Sequence, residues 1–159
     1  PFDLAVSVRA MEQGFSRVYM TRLVRKLRRK TWEKLKRYPD LVDRSALRSL
    51  RTVAEFDEVV TAPVHDFPSA VAYWAASSSN AFLSKIERPT LLINAQDDPF
   101  FPGSVLPLER VAENPFLTAE SPSAGGHAGF ISGEWPGRSI YWAEDRAMSF
   151  LIEQFSRTR

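Results

Sequence analysis

Two short segments of the sequence carry the side chains that acid–base chemistry requires. The first contains the adjacent acids Asp97 and Asp98, and the second contains His127 in a glycine-rich setting. Imidazole takes up and returns a proton near neutral pH. A carboxylate beside it fixes the tautomer of the ring and stabilises its charged form. Together the two groups can activate a hydroxyl, which is a weak nucleophile on its own.

Each segment follows a predicted β-strand. Residues 89–95 form an apolar run that a proline opens and polar residues close, which is typical of a buried parallel strand. Residues 116–120 predict a second strand, and the small residues and glycines at 121–129 predict the loop that carries His127. Functional sites in open α/β sheets gather at the carboxyl ends of strands. The order of acid and then histidine is that of α/β-hydrolases, in which a serine precedes both.

The elements around these loops predict an α/β fold. Residues 1–84 are mainly helical in pattern, and residues 85–159 follow a strand–loop–helix–strand–loop–helix order. Two strands alone cannot make a parallel sheet with both faces covered. We therefore expect the sheet to be completed by residues outside this chain or by another copy of it.

Helical periodicity predicts which apolar side chains point inward. In the first long helix, one stripe contains Phe15, Val18, Tyr19, Leu23 and Leu27. Further helical pieces are predicted over residues 31–37, from a cap at Asp43 to about residue 50, over residues 69–77 and over residues 105–112. The closing helix has an apolar stripe of Ala143, Ala147, Phe150, Leu151 and Phe155.

A set of ordered segments covers nearly the whole chain and resembles one family. The segments are Pro1-Phe2-Asp3-Leu4, Glu12-Gln13-Gly14-Phe15-Ser16-Arg17-Val18-Tyr19, Glu55-Phe56-Asp57, Thr61-Ala62-Pro63, Tyr73-Trp74, Ser77-Ser78, Pro89-Thr90-Leu91-Leu92-Ile93, Asp97-Asp98-Pro99-Phe100 and Gly125-Gly126-His127-Ala128-Gly129-Phe130. Together they resemble the second half of a YheT-like α/β-hydrolase, a group of predicted esterases related to mammalian abhydrolase-domain lipases. The resemblance implies that residues 1–84 are a helical cap and residues 85–159 are the last two core strands and the closing helix.

The resemblance also implies roles for the acid and the histidine. His127 matches the general base of a Ser-Asp-His triad. Asp98 matches the orienting acid, because the family's Asp-Pro-x-x-Pro phrase begins with that acid and fits residues 98–102. Asp97 remains the alternative acid. The implied reaction is hydrolysis of a small carboxylic ester with a lipid-like or short acyl group, without a metal or organic cofactor, and the cap would line the acyl pocket.

The nucleophile of this family is absent from the sequence. No Gly-x-Ser-x-Gly motif and no oxyanion segment rich in glycine occurs in the 159 residues, and family order places both before Pro1. We expect the chain to be a truncated hydrolase that is inactive alone. Its implied partner is the missing N-terminal half of the hydrolase.

Other residues that invite a catalytic interpretation favour structural roles. His65 adjoins Asp66, but neighbouring side chains rarely face each other. Residues 77–79 are serines without the strand-to-helix turn of a nucleophile. The four tryptophans, Trp32, Trp74, Trp135 and Trp142, are typical of core or cap packing.

Composition restricts the remaining function classes. The chain has no cysteine and no apolar run long enough for a transmembrane segment, and both features are compatible with a cytoplasmic protein. Residues 17–51 hold thirteen basic and three acidic residues. We expect this stretch to be a solvated helix face, with no nucleic acid partner. The alternative is a non-catalytic module that binds anionic lipid or nucleic acid through residues 17–51.

Overall fold

The computed structural model describes residues 1–101, 103, 106–133 and 137–157. The chain forms two compact units: the first comprises Pro1 and Asp3–Ser78, and the second begins at Ser79 and includes Phe2. Helices and a few strands make up the described elements, which is compatible with part of an α/β fold. Among the helices that the structure describes, none combines the length and the hydropathy that a bilayer crossing requires.

The first unit is built from helices. They are α1 (Leu4–Met11), α2 (Ser16–Leu35), α3 (Arg44–Ser49), α4 (Val53–Phe56), a π-helical turn (Asp57–Thr61), α5 (Ala62–Val64) and α6 (Ala70–Ser77). The side chains of Asp43 and Ser69 cap α3 and α6 by accepting backbone N–H groups. The predicted starts of these two helices are therefore confirmed. The predicted piece over residues 31–37 is the end of the unbroken helix α2.

Helix α2 buries a different stripe from the predicted one. Its buried residues are Met20, Val24, Thr31 and Leu35. Phe15, Val18 and Tyr19 are exposed by 89 %, 54 % and 56 %, so the prediction is wrong at this end of the helix. The physical reason is that the core lies at the other end, where Leu35 packs with Leu47. Counting back from Leu35 in helical turns, positions 15, 18 and 19 fall on the opposite face.

Arg28 of α2 forms hydrogen bonds with the end of α3 beside the core of the first unit. That core is a buried cluster of Leu35, Leu47, Leu50, Phe56 and Val60. The Arg28 guanidinium donates from Nη2 to the Arg48 carbonyl at 2.6 Å and from Nη1 to the Leu50 carbonyl at 3.3 Å. Carbonyls at a helix end have no partner within the helix. Arg28 supplies a partner from another helix and so joins α2 to the end of α3, and Arg51 Nη1 donates to the same two carbonyls at 3.3 Å.

The second unit contains two parallel strands. Its elements are two 3-10 turns (Ser79–Ala81 and Leu83–Lys85), β1 (Thr90–Ile93), α7 (Leu108–Glu113), β2 (Leu117–Glu120), β3 (Ile131–Ser132), β4 (Ile140–Tyr141) and α8 (Trp142–Arg157). Strands β1 and β2 pair in parallel, with Thr90 opposite Leu117 and Ile93 opposite Glu120. Both predicted strands are thus confirmed. Strands β3 and β4 form an antiparallel pair that is too short to show periodicity in the sequence.

The apolar packing of the second unit is incomplete around its sheet. Leu83, Val111 and Leu117 form the buried cluster, whereas every residue of β1 is only partly buried. In the predicted stripe of α8, Phe150 is buried, but Leu151 and Phe155 are exposed by 48 % and 73 %. Within the described residues the parallel sheet has two strands. Each strand therefore has one edge without a partner strand there.

Candidate active site

Asp98 and His127 meet beyond the carboxyl ends of the parallel strands. Asp98 Oδ2 lies 3.0 Å from His127 Nδ1, although 29 positions separate the residues in sequence. Strand β1 ends at Ile93 and leads to Asp98, and β2 ends at Glu120 and leads to His127. Because the strands are parallel, their following loops emerge at the same edge. The structure thus brings together the acid and the histidine that the sequence singles out.

The Asp98 carboxylate is held by contacts to both of its oxygens. Oδ1 accepts the backbone N–H groups of Phe100 at 2.8 Å and Phe101 at 3.1 Å, and the side chain is only 2 % exposed. This is an Asx-type turn, in which an aspartate bonds the backbone two residues on. The turn uses Oδ1 and leaves Oδ2 for the ring. Asp98 therefore combines turn formation with the contact to His127.

The neighbouring acid, Asp97, contacts the backbone of the histidine loop. Its Oδ1 accepts the N–H groups of Gly125 at 3.0 Å and Gly126 at 2.9 Å. The two adjacent acids therefore hold the same loop at different points, Asp98 at the His127 ring and Asp97 at the peptide groups before it. Sequence reasoning missed this role of Asp97. The sequence shows that a second acid adjoins Asp98, but it does not show which loop that carboxylate contacts.

Close packing at Gly125 holds the beginning of the loop that carries His127. A Cβ added at Gly125 would lie 2.5 Å from Cδ1 of Phe130 and 3.0 Å from the Ala95 Cβ. Only glycine leaves room for these neighbours. The Phe130 N–H donates to the Gly125 carbonyl at 3.0 Å, and the buried Phe130 ring stacks on Trp142 at 5.9 Å. The loop is therefore anchored between the end of β1 and the start of α8.

Two aromatic rings flank the imidazole while leaving part of it accessible. Phe100 meets the His127 ring edge-on at 4.9 Å, and Phe101 lies tilted at 5.3 Å. The His127 side chain remains 46 % exposed. Its Nε2 makes no hydrogen bond with any residue that the structure describes. With Nδ1–H donated to Asp98, the Nε2 lone pair is available to accept a proton.

The other candidate residues have structural surroundings. His65 is exposed and follows α5 in the first unit, where its backbone N–H caps the helix. Ser78 Oγ donates to the Trp74 carbonyl at 2.6 Å and accepts the Leu4 N–H at 3.0 Å. Trp74 donates to Asp57 at 2.8 Å. Trp135 lies outside the described residues.

No cluster of metal ligands occurs in the described ranges. Groups of three or more His, Cys, Asp or Glu side chains that could hold an ion are absent from residues 1–101, 103, 106–133 and 137–157. The Asp98–His127 pair has only two such side chains, and Asp98 already bonds two backbone N–H groups.

Comparison with known proteins relates the chain to ester-cleaving proteins. YheT of Escherichia coli (strain K12), named as a predicted esterase, is 35 % identical over 95 % of this chain and 44 % of its own length. Monoacylglycerol lipase of Saccharomyces cerevisiae is 32 % identical over 82 % of this chain and 30 % of its length. Phospholipase ABHD3 of Homo sapiens is 31 % identical over 70 % of this chain and 27 % of its length. No family model and no solved structure matches the chain.

These matches, together with the parallel strands and the two loops that follow them, define the chain as part of an α/β-hydrolase. Within that class the chain belongs to the YheT-like group, which the sequence resemblance indicated. It spans less than half the length of the curated relatives described above. A C-terminal segment of the hydrolase fits these matches.

Proposed function

We propose that the protein hydrolyses carboxylic esters and that Asp98 and His127 are the acid and base of its Ser-His-Asp triad. The observation that carries the proposal is the 3.0 Å contact between Asp98 Oδ2 and His127 Nδ1. The names of the relatives, which include an esterase, a phospholipase and a monoacylglycerol lipase, favour an ester with a lipid-like or short acyl group as substrate.

In the proposed reaction His127 moves the protons. Its Nε2 takes the proton of the serine hydroxyl while the serine oxygen attacks the ester carbonyl. Asp98 stabilises the imidazolium that forms, and the imidazolium then protonates the departing alcohol. Water is activated in the same way and releases the acid from the acyl-serine. No metal or organic cofactor takes part in this scheme.

The serine of this scheme lies outside the 159 residues, which contain no Gly-x-Ser-x-Gly motif. We propose that the N-terminal half of the α/β-hydrolase fold provides it. Residues 85–159 would then be the last two core strands with the closing helix. Residues 1–84 would be the helical cap that lines the acyl pocket.

The proposal is tested by comparing the chain alone with a reconstituted hydrolase. We use this term for the chain co-expressed with the N-terminal, nucleophile-bearing half of a YheT-like hydrolase. The chain alone should not hydrolyse p-nitrophenyl butyrate above background, and the reconstituted hydrolase should do so. Turnover by the chain alone that disappears in His127→Ala would contradict the proposal, because it would place a nucleophile within these residues.

A further inference from the structure

The exposed side of helix α2 combines an apolar end with a row of cations. We propose that this surface docks the protein on membranes of anionic phospholipid. The surface, here termed the interfacial stripe, consists of Phe15, Val18, Tyr19, Arg22, Arg25, Lys26 and Arg29. The docking is separate from ester hydrolysis, because its residues lie in the first unit and do not include Asp98 or His127.

Helical geometry aligns the interfacial stripe. Residues three, four and seven positions apart share a face of a helix, and this spacing relates Val18 to Arg22 and Arg25, and Arg22 to Lys26 and Arg29. All members of the stripe are exposed. Arg22, Arg25, Lys26 and Arg29 also line one shallow surface groove. The buried residues of α2, such as Val24 and Leu35, lie on the other side and pack into the first unit.

The cations of the stripe form no ion pair with the residues that the structure describes. Helix α2 holds eight basic residues and one acid, Glu33. Within the described residues, none of the ion pairs involves a cation of the stripe. Arg28 differs from them because it is engaged with the α3 carbonyls. An unpaired row of this kind is complementary to phosphate and carboxylate groups of an anionic surface.

The apolar end favours a membrane over a nucleic acid as the occupant. Phe15 is 89 % exposed, and Val18 and Tyr19 are more than half exposed. Interfacial helices bury such side chains at the boundary between headgroups and acyl chains while their cations bind the headgroups. Contact with a nucleic acid backbone would need the cations alone. The occupant that uses both ends of the stripe is therefore a phospholipid surface.

Vesicle flotation tests the docking surface. The full chain and the reconstituted hydrolase are each mixed with vesicles of phosphatidylcholine alone or of phosphatidylcholine with about 30 % phosphatidylserine. The salt concentration is about 0.15 M, at which charges are screened beyond about 8 Å. The mixtures are then centrifuged in a sucrose gradient, in which vesicles float and aggregates sink. We expect the reconstituted hydrolase, and the fraction of the chain alone that is not aggregated, to float with the anionic vesicles and to sink with the neutral ones. Each cation near an anionic surface should contribute about fivefold to partitioning.

Matched variants identify the stripe as the contact. Replacing Arg22, Arg25, Lys26 and Arg29 by Gln should reduce partitioning by about 100-fold or more. Replacing Lys85, Arg88, Arg138 and Arg157 by Gln removes the same charge elsewhere and should cause much smaller loss. Phe15→Ser should reduce partitioning by about tenfold, because it removes a side chain that inserts.

Several results would overturn the inference. They are equal flotation with neutral and anionic vesicles, absence of floating protein, or equal losses in the two charge variants. Tighter binding to duplex RNA or DNA than to anionic vesicles would assign the stripe to nucleic acid. Flotation of the chain but not of the reconstituted hydrolase would show that the other half of the fold covers the stripe. The His127→Ala variant should lose esterase activity but should float as the unsubstituted protein does. Failure of the proposed hydrolysis and failure of the docking are therefore distinguishable.

Discussion

Oδ2 of Asp98 lies 3.0 Å from Nδ1 of His127, while Oδ1 of the same carboxylate holds two backbone N–H groups. The adjacent Asp97 reaches the peptide groups of Gly125 and Gly126 instead. The two acids therefore differ in function although they are neighbours in sequence. Asp98 contacts the His127 ring, and Asp97 accepts hydrogen bonds from the backbone of the loop that carries this ring.

This difference predicts unequal effects of two similar substitutions. In the reconstituted hydrolase, Asp98→Asn should lower kcat for p-nitrophenyl butyrate by about 10⁴-fold, because an amide does not hold the imidazole in the required tautomer. Asp97→Asn keeps an oxygen acceptor for Gly125 and Gly126, so we expect a loss of no more than about tenfold. A larger loss in Asp97→Asn than in Asp98→Asn would identify Asp97 as the triad acid.

A second prediction concerns the packing under the histidine loop. Gly125→Ala should destabilise the reconstituted hydrolase by about 1–3 kcal/mol, because the new Cβ would overlap the Phe130 ring. Gly129→Ala is the control, since its Cβ would meet only ordinary contacts at 3.8 Å and beyond. Urea unfolding measures both free energies. Equal stability of the two variants would mean that Phe130 moves aside readily.

A third prediction concerns the first unit. Arg28→Ala should lower the free energy of unfolding of the reconstituted hydrolase by about 1–3 kcal/mol, because it removes the charged donor that joins α2 to the Arg48 and Leu50 carbonyls. Arg51 Nη1, which reaches the same two carbonyls at 3.3 Å, does not come from α2 and cannot replace that link. Arg29→Ala removes the same charge from an exposed position and should change stability by less than about 0.5 kcal/mol. Thermal and urea unfolding distinguish the variants. Similar losses of unfolding free energy in the two variants would show that the Arg28 hydrogen bonds do not stabilise the end of α3.

The fourth prediction follows from the uncovered sheet. Strand β1 is partly exposed along its length, and Ile152 and Phe155 of α8 are exposed by 61 % and 73 %. Unpaired edges and apolar patches promote self-association. The chain expressed alone should therefore be oligomeric or aggregated in light scattering, and the reconstituted hydrolase should be less so. A compact monomer with a sharp cooperative melt would show that the chain is a stable domain by itself.

The sequence predicted the elements whose signals are local. The apolar run at 89–95 and the loop at 121–129 are short, contiguous patterns, and β1 and the His127 loop lie where these patterns predict. The predicted helix cap at Asp43 is an equally local signal. Periodicity alone does not predict the contact between Asp98 and His127. It was inferred from strand order and from the resemblance to α/β-hydrolases.

The sequence does not predict which face of α2 is buried or which loop Asp97 contacts, because tertiary packing decides both. Phe15, Val18 and Tyr19 have helical spacing, yet a helix with apolar residues on several sides is oriented by its partners. The contact between Leu35 and Leu47 sets that orientation in α2. Likewise, the role of Asp97 depends on which loop its carboxylate meets. Spacing along the chain does not contain that information.

Alanine substitution of each of the two histidines of the chain separates the catalytic base from a surface residue. His127 pairs with Asp98, whereas His65 is exposed after α5 in the first unit. In the reconstituted hydrolase, His127→Ala should reduce kcat for p-nitrophenyl butyrate by about 10⁴-fold or more, because the serine loses its base. His65→Ala should leave kcat within about twofold, as expected for a surface change away from the reacting groups. Retained turnover in His127→Ala, or an equal loss in His65→Ala, would contradict the assignment of His127 as the catalytic base.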